Sequence, residues 1–148
     1  WPSAMIQLPT AIYMTSAFMN GLRIIYLDGR PHSNPDIVVP SFNGESIGRW
    51  EGNTLVVETN HLVEQVDQRY PHSDQARIVE RYHLEKGKGG ESVLVAEMTM
   101  TDPVFYTAPF TTVKKWAQVP NGHLLPYECA EENWLKRLEE LEAQASKK

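Results

Sequence analysis

A cluster of ionisable residues occupies residues 28–32, an Asp-Gly-Arg-Pro-His run that directly follows an apolar stretch. This run predicts a polar binding rim at the end of a strand. Arg30 could hold a carboxylate or orient Asp28, and His32 could carry a proton because imidazole titrates near neutral pH. Tyr26 shares a strand face with Asp28, so we expect it to contact a substrate. The alternative is an ordinary turn in which Asp28 accepts backbone N–H groups and pairs with Arg30.

A second candidate lies on the alternating stretch at residues 77–85. Alternation places two sets of side chains on opposite faces: Ile78, Glu80, Tyr82 and Leu84 on one, Arg77, Val79, Arg81 and His83 on the other. Glu80 therefore lies on the more apolar face, where a carboxylate must be paired, hydrogen-bonded or raised in pKa. A raised pKa would suit a general acid or base, with Tyr82 contacting the substrate. The alternatives are a salt bridge to a neighbouring strand, or exposure of this face to solvent.

His72, Ser73 and Asp74 stand side by side in a loop. Adjacency in sequence gives no support to a catalytic triad, because triad members meet in space. The chain has no Gly-x-Ser-x-Gly nucleophile motif, which disfavours a serine hydrolase. The hypothesis that remains is His72 as a general base, oriented by Asp74 or Glu80.

Further candidates lie within strands. Glu58 is a mid-strand ionisable residue that could line a barrel interior, and Trp116 supplies aromatic surface for ligand stacking or for the core. The five histidines show no metal-ligand spacing, and there is no cysteine pair. We therefore predict neither a metal nor a cofactor.

The strands that must position these residues are predicted to form β hairpins. Turns are predicted at Asn20-Gly21, at Glu51-Gly52-Asn53 and across residues 86–90, each between alternating or β-branched runs. Residues 28–43 contain three prolines and predict a long loop or an edge segment. The pattern indicates a mainly β domain over residues 1–129, an antiparallel meander that forms a lipocalin-like barrel or half-barrel. A β-sandwich is the second choice.

From residue 130 the periodicity becomes helical, with Trp134, Leu138 and Leu141 on one stripe. We predict an amphipathic C-terminal helix over residues 130–148 that lies on the barrel or binds a partner. The single cysteine, Cys129, is either a small buried residue or the bonding partner of a cysteine elsewhere. Self-association through this helix and Cys129 is therefore a hypothesis.

Composition narrows the function classes. The 148 residues suit one domain, and 41% hydrophobic with 22% charged residues is too balanced for disorder. A net charge of −5 without a basic stripe disfavours nucleic-acid binding. No apolar run is long enough for a transmembrane helix, and no signal peptide is present. A start at Trp1 rather than Met suggests a processed chain or a piece of a longer protein.

Several motifs together resemble a group of exported bacterial β proteins. They are residues 25–32, residues 46–59 (Ser-Ile-Gly-Arg-Trp-Glu-Gly-Asn-Thr-Leu-Val-Val-Glu-Thr), Pro71-His72-Ser73, Glu80-Arg81-Tyr82, Asp102-Pro103 and Tyr106-Thr107. The resemblance runs from about Ile24 to Asn133. It implies a periplasmic or secreted location and an additional N-terminal segment with a cysteine, but it carries no established activity. The ending around Cys129 and the helix after Asn133 depart from the group.

Two functions remain open. The first is a ligand-binding or accessory β protein of the bacterial cell envelope. The second is a cofactor-free acid–base enzyme, such as a lyase, isomerase or hydrolase, acting on a small, partly apolar molecule. Convergence of His32, His72, Glu58 and Glu80 on one pocket would favour the enzyme.

Overall fold

A computed structural model describes residues 2–67, 69–125 and 131–145. In chain order these residues form strands β1 (Ser3–Gln7), β2 (Ala11–Ser16), β3 (Leu22–Tyr26), β4 (Glu45–Glu51), β5 (Thr54–Asn60), β6 (Arg77–Lys86), β7 (Ser92–Thr101) and β8 (Phe110–Ala117), and helix α1 (Glu131–Ala145).

The eight strands form one sheet in which sequence order is also spatial order, from β1 to β8. The sheet curls into a half-barrel, with β1 and β8 at its two edges. The prediction of a mainly β half-barrel is confirmed. Every neighbouring pair is antiparallel except β3–β4, which is parallel and is aligned at Ile25–Ser46 and Tyr26–Ile47. The sequence analysis did not predict this parallel pair.

The parallel pair follows from the long connection at residues 27–44. This segment contains no strand, as its prolines predict, and it contains a single isolated bridge from Ser41 to Leu62. A parallel neighbour requires a crossover of a dozen or more residues, which this segment supplies. The connection brings the chain back beside the last residues of β3, so that Ser46 aligns with Ile25 and β4 runs in the same direction.

The three predicted hairpins are present, and one differs in its turn. Gly52 adopts a φ of +60° between β4 and β5, as a tight turn requires. Between β2 and β3, however, Met19 takes the left-handed conformation with φ of 54°, and Gly21 has φ of −59°. The chain uses a short 3₁₀ turn, Phe18–Asn20, in place of a two-residue Asn-Gly turn. Strand β1 was not predicted.

Strand register decides which side chains share the inner, concave face. The inner core consists of Ile12, Ile25, Leu55, Val57, Tyr82 and Ala96, with Met5, Met14, Leu27, Leu94, Met98 and Trp116 against it. Gly48 lies beneath this core. A Cβ there would come within 2.8 Å of Ile25 and 3.0 Å of Leu27, so the position has no room for a side chain.

The outer face carries a lattice of ion pairs across β4, β5 and β6. Arg49 pairs with Glu51 and Glu58, and Arg81 pairs with Glu51. Val56 lies between the two arginines in register and is fully buried, which indicates that their aliphatic stems cover it.

Helix α1 begins within one residue of its predicted start and leaves Trp134 and Leu138 exposed. Cys129 and the last three residues of the predicted helix lie outside the described residues, so the proposed self-association stays a prediction. In the part of the chain that the structure describes, no helix has the length and apolar character to span a bilayer.

Candidate ligand-binding site

A buried polar network crosses the inner face of the half-barrel. The guanidinium of Arg23, on β3, donates to Ser46 Oγ at 2.9 Å and to Thr59 Oγ1 at 2.6 Å. It continues to β6, where Nη1 lies 3.1 Å from Glu80 Oε1 and Nη2 pairs with Oε2. One arginine therefore connects four strands by a bidentate ion pair and two hydroxyl contacts.

Glu80 has a second donor, the hydroxyl of Tyr82, at 2.9 Å. Glu80 is 1% exposed and Tyr82 is 4% exposed. Burial and the adjacent charge of Glu80 raise the pKa of Tyr82, so its phenol stays neutral. Burial lowers the pKa of Arg23, but its contacts with Glu80 raise the pKa by more. Glu80, on β6, is therefore held in an ion pair with Arg23 on β3, and strands β4 and β5 lie between them.

Tyr82 also lines a cavity of about 660 Å³ at one end of the inner face. Its buried part is formed by Ile12, Leu55 and Tyr82, and its rim carries exposed residues such as Trp50 and Leu84. The remaining lining residues are Met5, Gln7, Gly52, Asn53, Thr54, His83 and Leu94. Strands from both halves of the sheet contribute, because the sheet curls. The volume lies within the range of small-molecule sites in proteins, and the cavity is open to solvent on one side.

A second cluster lies on the outer side, where the long connection folds back on β4. Glu45 accepts hydrogen bonds from Ser33 N at 2.8 Å, from Ser33 Oγ at 2.6 Å and from His32 Nδ1 at 3.0 Å. His61 Nε2 donates to the Ser33 carbonyl at 3.1 Å and lies 3.8 Å from Glu45. Burial raises the pKa of Glu45, but the contacts with Ser33 and His32 lower it by more, which keeps the carboxylate ionised.

This cluster contains two unusual features. His32 Nε2 and Asn60 Oδ1 are buried without a hydrogen-bond partner among the described residues. His61 adopts a φ of 54°, which is uncommon for a residue with a side chain. Because the carboxylate of Glu45 only accepts, His32 Nδ1 must donate to it.

The predicted rim at residues 28–32 is only partly assembled. Asp28 accepts the Arg30 backbone N–H at 3.3 Å and its guanidinium at 2.5–3.0 Å, which is the turn that the alternative interpretation describes. Arg30 lies over the Tyr26 ring at 3.9 Å. His32 pairs with Glu45 instead of with Asp28 or Arg30. The four candidates therefore fall into two groups, Asp28 with Arg30 and the Tyr26 ring, and His32 with Glu45.

A smaller cavity of about 300 Å³ lies beside this cluster, between the outer face of β3 and the long connection. Its walls include Leu22, Ile24, Tyr26, Val38 and Glu45. The other lining residues are Arg23, Ser41, Asn43, Gly44 and Ser46. The side chains of Arg23 and Ser46 turn to the inner face, where they form the network described above.

His72 lies apart from all of these residues. Its Nδ1 contacts the Tyr70 carbonyl at 3.0 Å. Its neighbour Ser73 donates to Asp102 through the backbone N at 2.5 Å and through Oγ at 3.0 Å. Burial raises the pKa of Asp102, but hydrogen bonds from backbone N–H groups and from Ser73 lower it by more. Ser73 thus connects this loop to Asp102, and neither of its hydrogen bonds to Asp102 involves the His72 ring, which bonds the Tyr70 carbonyl instead.

The last two candidates lie on different faces. Glu58 is on the outer face, where it pairs with Arg49 at 2.9 Å and with Arg77. These ion pairs lower the pKa of Glu58. Trp116 packs against the inner core beside Leu94, its partner in register. His32, His72, Glu58 and Glu80 therefore do not meet in one pocket.

Sequence reasoning missed Arg23, Glu45 and Asp102. One signal could have found Arg23: a carboxylate on an apolar face needs a buried cation, and Arg23 alternates onto the same inner face as Ile25. Glu45 and Asp102 gave no such signal, because the partners that hold them, Ser33 and His32 for Glu45 and Ser73 for Asp102, lie in other loops of the chain.

Among the described residues no group of three His, Cys, Asp or Glu side chains has the arrangement of a metal site. No protein-family model, curated protein or solved structure matches the chain. The resemblance to exported bacterial β proteins thus stays a prediction.

Proposed function

We propose that this protein binds a small, uncharged and mostly apolar molecule in the inner cavity of the half-barrel. The observation that carries the proposal is the cavity of about 660 Å³ with Ile12, Leu55 and Tyr82 at its buried end. A site of this size and lining removes apolar surface of a ligand from water, which provides the free energy of binding.

The charges around the cavity support an uncharged ligand. Tyr82 stays neutral, and the ion pair behind it is closed between Arg23 and Glu80. His83 borders the cavity, but alternation turns its ring to the outer face, where it contacts Glu85 at 3.2 Å. A charged ligand group at the buried end would find no counter-charge, and an unpaired charge there is costly. Gln7 and Asn53, both exposed at the rim, offer amides to a polar ligand group.

The test is mass spectrometry of the native protein for a co-purifying small molecule, together with titration of the neutral fluorescent probe N-phenyl-1-naphthylamine. Leu94→Trp would fill the cavity, and we expect it to reduce retention of ligand and probe at least tenfold. Val113→Trp, at an exposed position of β8, is the matched control and should change neither. Equal binding by wild type and Leu94→Trp would contradict the proposal.

The variants His72→Ala and Glu80→Gln test whether the two residues that the sequence predicted as general acid or base take part in ligand binding. His72 is outside the cavity, so its replacement should leave retention unchanged. Glu80→Gln removes the charge behind Tyr82, so we expect probe affinity to change through Tyr82 without a loss of the cavity. Loss of binding in His72→Ala would point to a different site.

A location in the bacterial cell envelope is part of the proposal. It is supported by the resemblance of residues 46–59 and their companion motifs to exported proteins. Fractionation of cells that express the complete natural gene would test it, and recovery in the cytoplasm alone would contradict it.

A further inference from the structure

Glu45 is a largely buried carboxylate without a fixed cationic partner among the described residues. Its side chain is 14% exposed, and its contacts are with Ser33 and with the imidazoles of His32 and His61. Buried charges in proteins are normally paired with an opposite charge. A cationic ligand group would therefore add a direct opposite charge to the hydrogen bonds that already hold Glu45.

The neighbouring charges already balance each other. Asp28 pairs with Arg30, and Glu80 pairs with Arg23. The charge of Arg30 interacts with that of Glu45, but its guanidinium is held by Asp28 and lies on the Tyr26 ring. Neither of the two ion pairs includes Glu45.

The imidazole of His32 contacts Glu45 through Nδ1, and its Nε2 is buried without a hydrogen-bond partner among the described residues. His61 donates from Nε2 to the Ser33 carbonyl, which satisfies that N–H without a charge. Asn60 Oδ1, on the strand position directly opposite Glu45, is a further buried acceptor that lacks a donor.

The cavity beside Glu45 has room for a ligand that brings a positive charge to this carboxylate. It measures about 300 Å³ and offers Leu22, Ile24, Val38 and the Tyr26 ring as apolar walls. Ser33 occupies one lone pair of Glu45 Oε1, so an acceptor site remains on this oxygen. A cationic donor on a short hydrocarbon chain would match the carboxylate and the apolar walls together.

We propose that this outer cavity is a second binding site, which takes the primary ammonium group of a small alkylamine against Glu45. The site is separate from the inner cavity and does not depend on the function proposed for it. Its ligand differs in chemistry too, because the inner cavity favours uncharged molecules.

The test is an NMR titration of the isotope-labelled protein at pH 8 with butylammonium chloride, with butanol and sodium butyrate as neutral and anionic probes of equal length. We expect saturable shifts at Ile24 and Tyr26 with butylammonium, and at least tenfold weaker binding of the other two. Equal binding of butyrate, or no saturable shift with butylammonium, would overturn the proposal.

Two variants test the role of the charge. Glu45→Gln should weaken butylammonium binding at least tenfold, whereas Glu58→Gln, which also removes an outer-face carboxylate, should not change it. If Glu45→Gln fails to fold by circular dichroism, Val38→Trp decides, because it fills the cavity and keeps the charge. Unchanged binding in Val38→Trp, or in a folded Glu45→Gln, would overturn the proposal.

The imidazole that contacts the carboxylate provides an independent readout. Butylammonium binding should shift the ring resonances of His32, because its Nδ1 donates to Glu45. Saturable binding without a shift at His32 would place the amine elsewhere and overturn the proposal. Leu94→Trp should abolish binding of the inner-cavity probe and leave butylammonium binding intact, which distinguishes the two sites.

Discussion

Arg23 reaches over β4 and β5 to Glu80, so that one ion pair spans four strands of the half-barrel. Both side chains of this ion pair lie on the inner face, and Glu80 is 1% exposed. The pair joins β3, which belongs to the first three strands, to β6, which belongs to the last five. It lies directly behind the Tyr82 wall of the inner cavity.

Removal of Arg23 alone from this ion pair should lower the stability of the protein. We expect Arg23→Leu to lower the free energy of unfolding by about 3–5 kcal/mol, because it leaves the Glu80 carboxylate buried and unpaired. The double variant Arg23→Leu/Glu80→Leu should lose less than the single variant, since no charge stays buried. Urea denaturation at pH 7 measures both. A double variant that is less stable than Arg23→Leu would contradict this account.

Asp102 should give stability that depends on pH. Its pKa is lowered in the folded protein, so its contribution is fully present above the ordinary value near 4 and is lost as pH falls through the folded value. Asp102→Asn removes this dependence, and the stability gap between wild type and variant should narrow below about pH 4. Urea denaturation at pH 7, 4 and 2.5 measures the gap. A gap that is constant across this range would show that Asp102 does not contribute through its charge.

Two glycines allow conformational strain to be separated from steric clash. Gly44 and Gly52 have φ of +61° and +60°, but only at Gly44 would a Cβ collide with neighbours, the Asn60 carbonyl and the side chains of Thr59 and Leu62. Gly52→Ala should cost about 1–2 kcal/mol from the left-handed backbone alone. Gly44→Ala should cost about 1–3 kcal/mol more, because of the clash. Thermal and urea denaturation compare them, and equal losses would contradict the geometry at Gly44.

Glu58 should contribute little, although it bonds two arginines. The arginines Arg49 and Arg77 are more than half exposed, and ion pairs in such positions are screened by water and salt. We expect Glu58→Gln to change the free energy of unfolding by less than about 1 kcal/mol, with a smaller effect at high salt. Binding of probes to the inner cavity should not change. A loss of probe affinity would assign Glu58 a role that its outer-face position does not predict.

The local features of the fold could be predicted from the sequence because they depend on adjacent residues. The Gly52 turn, the Gly-rich turn after β6 and the alternation around Glu80 are all short-range patterns. The parallel contact of β3 with β4 could not be predicted, because it depends on how the proline-containing connection returns across the sheet. Sequence periodicity contains no information on that path.

The difference between short-range patterns and long-range contacts also decides which parts of the candidate sites could be predicted. Alternation placed Glu80 and Tyr82 correctly on one face, and the pairing requirement for Glu80 is met by Arg23. His32 was expected to act with Asp28 and Arg30, but Glu45, thirteen residues further along, orients it instead. The inner cavity was anticipated only as a barrel interior, since its lining comes from six strands that meet through curvature.

The parallel junction divides the chain into two parts that can form at different times during folding. β1–β3 and β4–β8 each contain hairpins whose strands are neighbours in sequence, and such local pairs form quickly. Their joining requires closure of the connection at residues 27–44, which costs entropy before Ile25 and Ser46 can pair. The Arg23–Glu80 contact spans this junction, so it would report on the late step of folding and mark when the concave face is complete.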